Sequence, residues 1–179
     1  MKAIHRFRLA ALLASAWLSG CAVVDTTGAA KADPAGRWVL LPFANYTETP
    51  YAGNRAEAIT QALLATRGVR DLQSYPPELA RETLFEPGQQ KLQEQALSWA
   101  KGTGARYAVA GAVDEWRYKV GVDGEPAVGV TLRIVDLADN KVLWNGAGGK
   151  SGWSRESLAA VGRKLIGELL EQALPASAR

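Results

Sequence analysis

Arg106-Tyr107-Ala108-Val109-Ala110-Gly111-Ala112-Val113-Asp114-Glu115-Trp116-Arg117-Tyr118, followed by Val128-Gly129-Val130-Thr131-Leu132-Arg133-Ile134-Val135-Asp136, decides the fold. In the second stretch Val128, Val130, Leu132 and Ile134 alternate with Gly129, Thr131 and Arg133. A period of two puts apolar side chains on one face of a strand. Asp123-Gly124-Glu125-Pro126 lies at the connection between the two stretches, and Ala138-Asp139-Asn140 is a short turn before a further strand, Lys141 to Ala147. Three successive strands joined in this way predict an antiparallel meander.

Helices and shorter strands surround this meander. Leu92, Ala96, Trp99 and Ala100 recur at helical spacing, with Gly102 and Gly104 beyond them, which predicts a helix from about Gln89 to Lys101. Upstream, Arg37 to Phe43 is a compact apolar run expected to form a buried first strand. Asn54 with Glu57 three residues later predicts a capped helix continuing through Ile59, Ala62, Leu63 and Thr66 to a stop at Gly68. Val69 to Leu72 is a short second strand, and Pro76-Pro77 breaks regular structure before a loop that reaches Gly88. Ser154 is the expected cap of a last helix whose buried stripe is Leu158, Val161, Leu165 and Leu169. The class is α/β: a two-layer or three-layer sandwich with a mixed sheet of about five strands and three main helices.

The chain begins with Lys2, Arg6 and Arg8, an apolar run from Leu9 to Leu18, and then Leu18-Ser19-Gly20-Cys21. A basic start, a short apolar segment and small residues at a cut site make an export signal, and the segment is too short for a permanent crossing, which takes about 20 residues. Leu18 to Cys21 resembles the lipobox of bacterial lipoproteins. Residues 1–20 are therefore expected to be a signal peptide, 21–36 a flexible tether from acylated Cys21, and 37–179 a single periplasmic domain. Ala22, where an aspartate would retain the protein at the inner membrane, resembles the sorting signal for the outer membrane.

Processing changes the charge argument. Removal of Lys2, Arg6 and Arg8 from 21 basic side chains leaves 18, against 18 acidic ones. The excess of positive charge belongs to the signal, and gives no reason to expect a nucleic-acid partner. The only histidine, His5, leaves with the signal, and the only cysteine is Cys21. A mature chain without histidine or free thiol has no His-assisted nucleophile, no Cys nucleophile, no ordinary zinc site and no disulfide. No cofactor is expected, and no enzymatic activity.

Other candidates are weaker. Gly149-Lys150-Ser151 resembles the end of a phosphate-binding loop, but Trp144 stands where its first glycine belongs. Asn45-Tyr46-Thr47 is a chance glycosylation pattern in a polar loop. Asp114, Glu115, Asp123 and Glu125 gather around one strand-loop-strand region. They could be a solvated loop, an acidic surface for a cationic polymer, or the carboxylate pair of a glycoside hydrolase. Trp153 precedes the expected Ser154 cap, so it either staples onto Leu158 or lies at a membrane interface. Trp38, Trp99, Trp116 and Trp144 fall in strands or on an apolar helical face, and are expected in the core or a subunit interface.

Four motifs carry a family resemblance. Leu41-Pro42-Phe43-Ala44-Asn45-Tyr46-Thr47-Glu48-Thr49-Pro50, followed by Ala52-Gly53-Asn54-Arg55-Ala56, resembles the start of the PelC family of polysaccharide-export lipoproteins. Asp123 to Gly129, Val142-Leu143-Trp144 and Ser151 to Leu158 resemble its later signatures. Ala100 to Gly111 is more distantly similar to TolB-amino-terminal-like and curli-export-type domains. The resemblance implies a ring-shaped homo-oligomer, a dodecamer in the family, at the periplasmic side of the outer membrane beside the porin PelB. It implies guidance of the cationic Pel exopolysaccharide to that porin, with Asp123 and, more weakly, Glu125 as acidic residues of the ring lumen and Trp153 facing the membrane. The alternative is a lipoprotein adaptor that binds and activates a protein partner such as a cell-wall synthase.

Overall fold

The computed structural model describes residues 22–80, 88–121 and 124–175. Cys21 and Asp123 lie outside the described residues, as does the stretch 1–20 expected to be a signal peptide. In chain order the elements are β1 (Ala22–Thr26), β2 (Arg37–Leu40), β3 (Ala44–Asn45), α1 (Ala52–Thr66), β4 (Asp71–Ser74), the single turn α2 (Pro77–Ala80), α3 (Gln89–Gly102), β5 (Tyr107–Tyr118), β6 (Pro126–Asp136), β7 (Lys141–Ser151) and α4 (Leu158–Ala173). One mixed sheet runs β1-β7-β6-β5-β2-β4, with β3 pairing β5. The meander β5-β6-β7 is antiparallel, as its alternation predicts, and β2 lies parallel to both β5 and β4.

The layers follow from alternation in the sheet. Trp38 and Leu40 of β2 point into the larger core with Val109, Leu132, Ile134 and Trp144, under α1 and α4. Val39 and the adjoining Leu41 point the other way, to a smaller core with Ala108, Ala110 and Val135 under Ala96 and Ala100 of α3. The sandwich therefore has three layers. Gly162 lets α4 seat closely on the sheet, since a Cβ there would lie 2.5 Å from the Trp116 ring. Gly68, at φ +89°, ends α1 as the sequence suggests.

The sheet has seven strands instead of about five. Pro42, without an N–H, interrupts the expected first strand, which resumes as β3 beside Ala112 and Val113. The larger correction is at the start, where Ala22–Thr26, expected in a flexible tether, forms the edge strand β1 against Gly146–Lys150. Val24 packs on the larger core, which gives this short segment a reason to pair.

Two helix starts also differ from expectation. α1 begins at Ala52, before Asn54, with Tyr51 at φ 60°, and no side chain caps it. Glu57 instead accepts the Phe43 N–H, at 2.9 Å. α4 is capped by Ser157, not Ser154, because a turn from the Trp153 carbonyl to the Glu156 N–H holds the chain out of helix. The staple of Trp153 on Leu158 falls with that cap, and Trp153 is exposed.

Candidate functional site

A β-bulge builds the acidic part of the surface. Val113 pairs with Val130 and Glu115 with Gly129, so Asp114 is the extra residue on β5. Its carboxylate reaches the part of the sheet that α3 leaves open and accepts the Thr131 hydroxyl at 3.1 Å. Asp114, Asp25, Thr131, Val23 and the small residues Gly129 and Ala147 line a shallow depression of about 260 Å³. A wider depression of about 760 Å³ adjoins it, where Asp114 and Glu115 face the Thr47–Pro50 loop with Glu48. Arg117 bonds Glu115 at 2.9 Å, so part of this charge is neutralised locally.

Sequence reasoning placed Asp114 and Glu115 here and missed Asp25 and Glu48. Asp25 gives no signal in the sequence because the segment Ala22 to Gly36 has no strand period. Glu48 sits in a loop without period, held by Asn45: its Oδ1 accepts the Thr47 N–H and its Nδ2 donates to the Thr49 carbonyl. Thr49 in turn donates its hydroxyl to the Trp116 carbonyl at 2.5 Å. The supposed phosphate loop is strand, and Lys150 there pairs with Glu168 at 2.6 Å.

Glu125 belongs to another place, the end of the sheet where β5 turns into β6. Its carbonyl accepts the Lys119 N–H at 2.7 Å and closes the connection, while its side chain is exposed. The Lys119 ammonium donates to the Ser151 hydroxyl at 2.7 Å, and the Gly152 N–H to the Pro126 carbonyl at 2.9 Å. These bonds join the connection to the Trp153 turn, so Glu125 and Trp153, expected in different roles, share one end of the molecule. Three apolar or aromatic side chains stand out there: Val120 fully exposed, Trp153 at 62% and Tyr118 at 49%. β1 starts at the same end, since Ala22 pairs with Lys150.

Trp38, Trp116 and Trp144 are core residues, and Trp99 packs edge-on against Tyr75 at 5.2 Å. Among the described residues, no helix is long and apolar enough to cross a membrane. Nor does any group of three or more His, Cys, Asp or Glu among them have the arrangement to hold a metal ion.

Among solved structures, a PelC dodecamer from Paraburkholderia phytofirmans is 36% identical over 86% of this chain and 99% of its own, with a TM-score of 0.72. The chain belongs to the PelC family. A substituted form of the same PelC protein, also a dodecamer, superposes with a TM-score of 0.73 at the same identity. Lipoprotein GNA1162 from Neisseria meningitidis, 18% identical over 76% of this chain and 96% of its own, shares the fold at a TM-score of 0.54. No family model and no curated protein sequence matches. PelC-family membership therefore rests on the fold and sequence shared with the Paraburkholderia protein along nearly its whole length.

Proposed function

We propose that this chain is an outer-membrane lipoprotein, acylated at Cys21, that assembles into a periplasmic ring and guides the cationic polysaccharide Pel to the porin PelB. The observation that carries the reading is the 36% identity with a protein that forms a dodecamer, over 99% of that protein's length. Asp123 and Glu125 line the lumen in this reading, and Trp153 faces the membrane. The exposure of Glu125 and Trp153 supports both assignments.

Guidance needs many weak contacts. A row of carboxylates repeated around a ring raises the local concentration of a polycation, yet each contact breaks readily, so the polymer slides. Glu48, Asp25 and Asp114 add negative charge to the open part of the sheet and are further candidates for this surface. The test is polymer secretion by cells carrying Asp123→Lys with Glu125→Lys. Export should fall severalfold at normal protein level, and undiminished export would remove the lumen assignment.

A further inference from the structure

The open part of the sheet carries two successive rows of side chains. In one, Asp25 lies opposite Ala147 and Ala147 opposite Thr131, beside the Asp114 carboxylate. In the next, two residues along and about 7 Å away, Asn145 lies opposite Arg133 and Arg133 opposite Ala110. The first row is acidic and the second cationic. Arg133 is exposed, and among the described residues neither its guanidinium nor the Asn145 side-chain amide has a hydrogen-bond or charge partner. A depression of about 250 Å³ lies at this second row, lined by Tyr46, Gln93, Thr131, Arg133 and Asn145. We infer that it holds a neutral N-acetylhexosamine unit, with the sugar ring against Tyr46, the acyl carbonyl accepting from Arg133 and Asn145, and the amide N–H donating to Gln93. The inference rests on the polysaccharide-guidance reading and adds a second kind of unit that this surface recognises.

Each part of that unit meets a matching group. A sugar ring has an apolar C–H face and a polar rim, which suits an aromatic face beside a few placed polar groups. Tyr46 is 67% exposed, so its ring is free to stack. Gln93 is already positioned, because its amide nitrogen donates to the Pro42 carbonyl at 2.6 Å, and its amide oxygen is left to accept. Gln93 and Arg133 also line an adjoining depression of about 270 Å³ with Leu97, Val135 and Val142, an apolar place for the acetyl methyl. An ammonium-bearing unit does not fit here, since Arg133 repels it with no carboxylate in the depression to offset the charge. A carboxylate-bearing unit would satisfy Arg133 but would leave the Gln93 oxygen and the apolar depression unmatched, with Asp25 and Asp114 one row away. The acidic row therefore takes free-amine units and the Arg133 row takes acylated ones.

The experiment is titration calorimetry on the full lipoprotein in detergent micelles. The probes are tetramers of N-acetylglucosamine and of N-acetylgalactosamine, each beside its fully de-N-acetylated counterpart. At least one acetylated tetramer should bind. Arg133→Gln should weaken it by about tenfold, the worth of one charge-assisted hydrogen bond, and should strengthen binding of the free-amine tetramers by removing a like charge. Tyr46→Ala should weaken the acetylated tetramer by about tenfold as well, through loss of the stacking face. Both side chains are exposed, so urea unfolding of the two variants should match wild type. Binding of free-amine tetramers without binding of acetylated ones overturns the subsite and leaves guidance of a polycation standing. Acetylated binding that Arg133→Gln leaves unchanged overturns it, as does the absence of heat with either kind. A change of oligomer mass in Arg133→Gln overturns it in favour of a contact between subunits. Binding lost in both variants, together with undiminished export by cells carrying Asp123→Lys with Glu125→Lys, upholds the subsite while removing the lumen assignment.

Discussion

The Glu57 carboxylate of α1 accepts the backbone N–H of Phe43 at 2.9 Å, tying the helix to the chain between β2 and β3. Burial pushes the Glu57 carboxyl above its usual range, and the bond from Phe43 pulls the other way without cancelling it. A carboxyl with its pKa raised in the fold holds its proton where the unfolded chain has lost it. Its stabilising contribution is present below the unfolded value and declines as pH rises through the folded one. Glu57→Gln keeps an acceptor for Phe43 and removes the charge. Thermal unfolding should show it at least as stable as wild type at pH 7, with the difference shrinking as the pH falls toward 4.5. Glu57→Ala, which strands the Phe43 N–H, should lose about 1–3 kcal/mol.

Ser157 and Ser154 separate the observed start of α4 from the one its sequence suggests. The Ser157 hydroxyl accepts the Ala160 N–H at 3.1 Å. Ser157→Ala should cost about 1 kcal/mol in urea unfolding, and Ser154→Ala close to nothing. Equal losses would mean that the helix begins earlier.

The pattern of success between sequence and structure has physical reasons. The meander was legible because β6 buries one face with large residues and carries small or polar ones on the other, so Val128 to Ile134 leave little freedom of register. α3 was legible from the spacing of Leu92, Ala96, Trp99 and Ala100 and the glycines beyond them. Caps were not, since Asn54 and Ser154 satisfy a local pattern while the choice between them and their neighbours depends on contacts outside that pattern, Phe43 for Glu57 and the adjoining Trp153 turn for α4. Asp114 was legible as a candidate, but its orientation depends on a bulge that spacing does not reveal. Family motifs suggested Asp123, Glu125 and Trp153; only the fold brings Glu125 and Trp153 to a common end.

Gly162 tests how closely α4 must approach the sheet. A Cβ at this position would meet Cη2 of Trp116 at 2.5 Å and Cζ3 at 2.9 Å, and the Trp116 ring is buried. Gly162→Ala gains helix propensity of about 1 kcal/mol but must displace the ring or the helix. Overpacking of this kind costs about 1–3 kcal/mol, so the variant should be less stable in urea despite its better propensity. Pairing it with Trp116→Leu, which clears the contact, should recover the propensity gain, so the two losses should not add.

β1 is the element whose existence most changes the picture, and truncation weighs it directly. Its residues bond β7 from Ala22 to Thr26, Val24 packs on the larger core, and Thr27 continues the contact through its N–H to the Asn145 carbonyl at 3.0 Å. Against this stands the entropy of ordering about five residues, at about 1–2 kcal/mol each, so the net contribution is modest. A chain beginning at Gly28 should be less stable than one beginning at Ala22 by roughly 2 kcal/mol, from the lost burial of Val24 and the core surface beneath it. Its urea dependence should also become slightly shallower, because less surface is exposed on unfolding. A flexible tether predicts no change in either quantity. Val24→Pro, which removes one N–H from the strand and leaves chain length intact, should reproduce most of the loss if pairing with β7 is the cause.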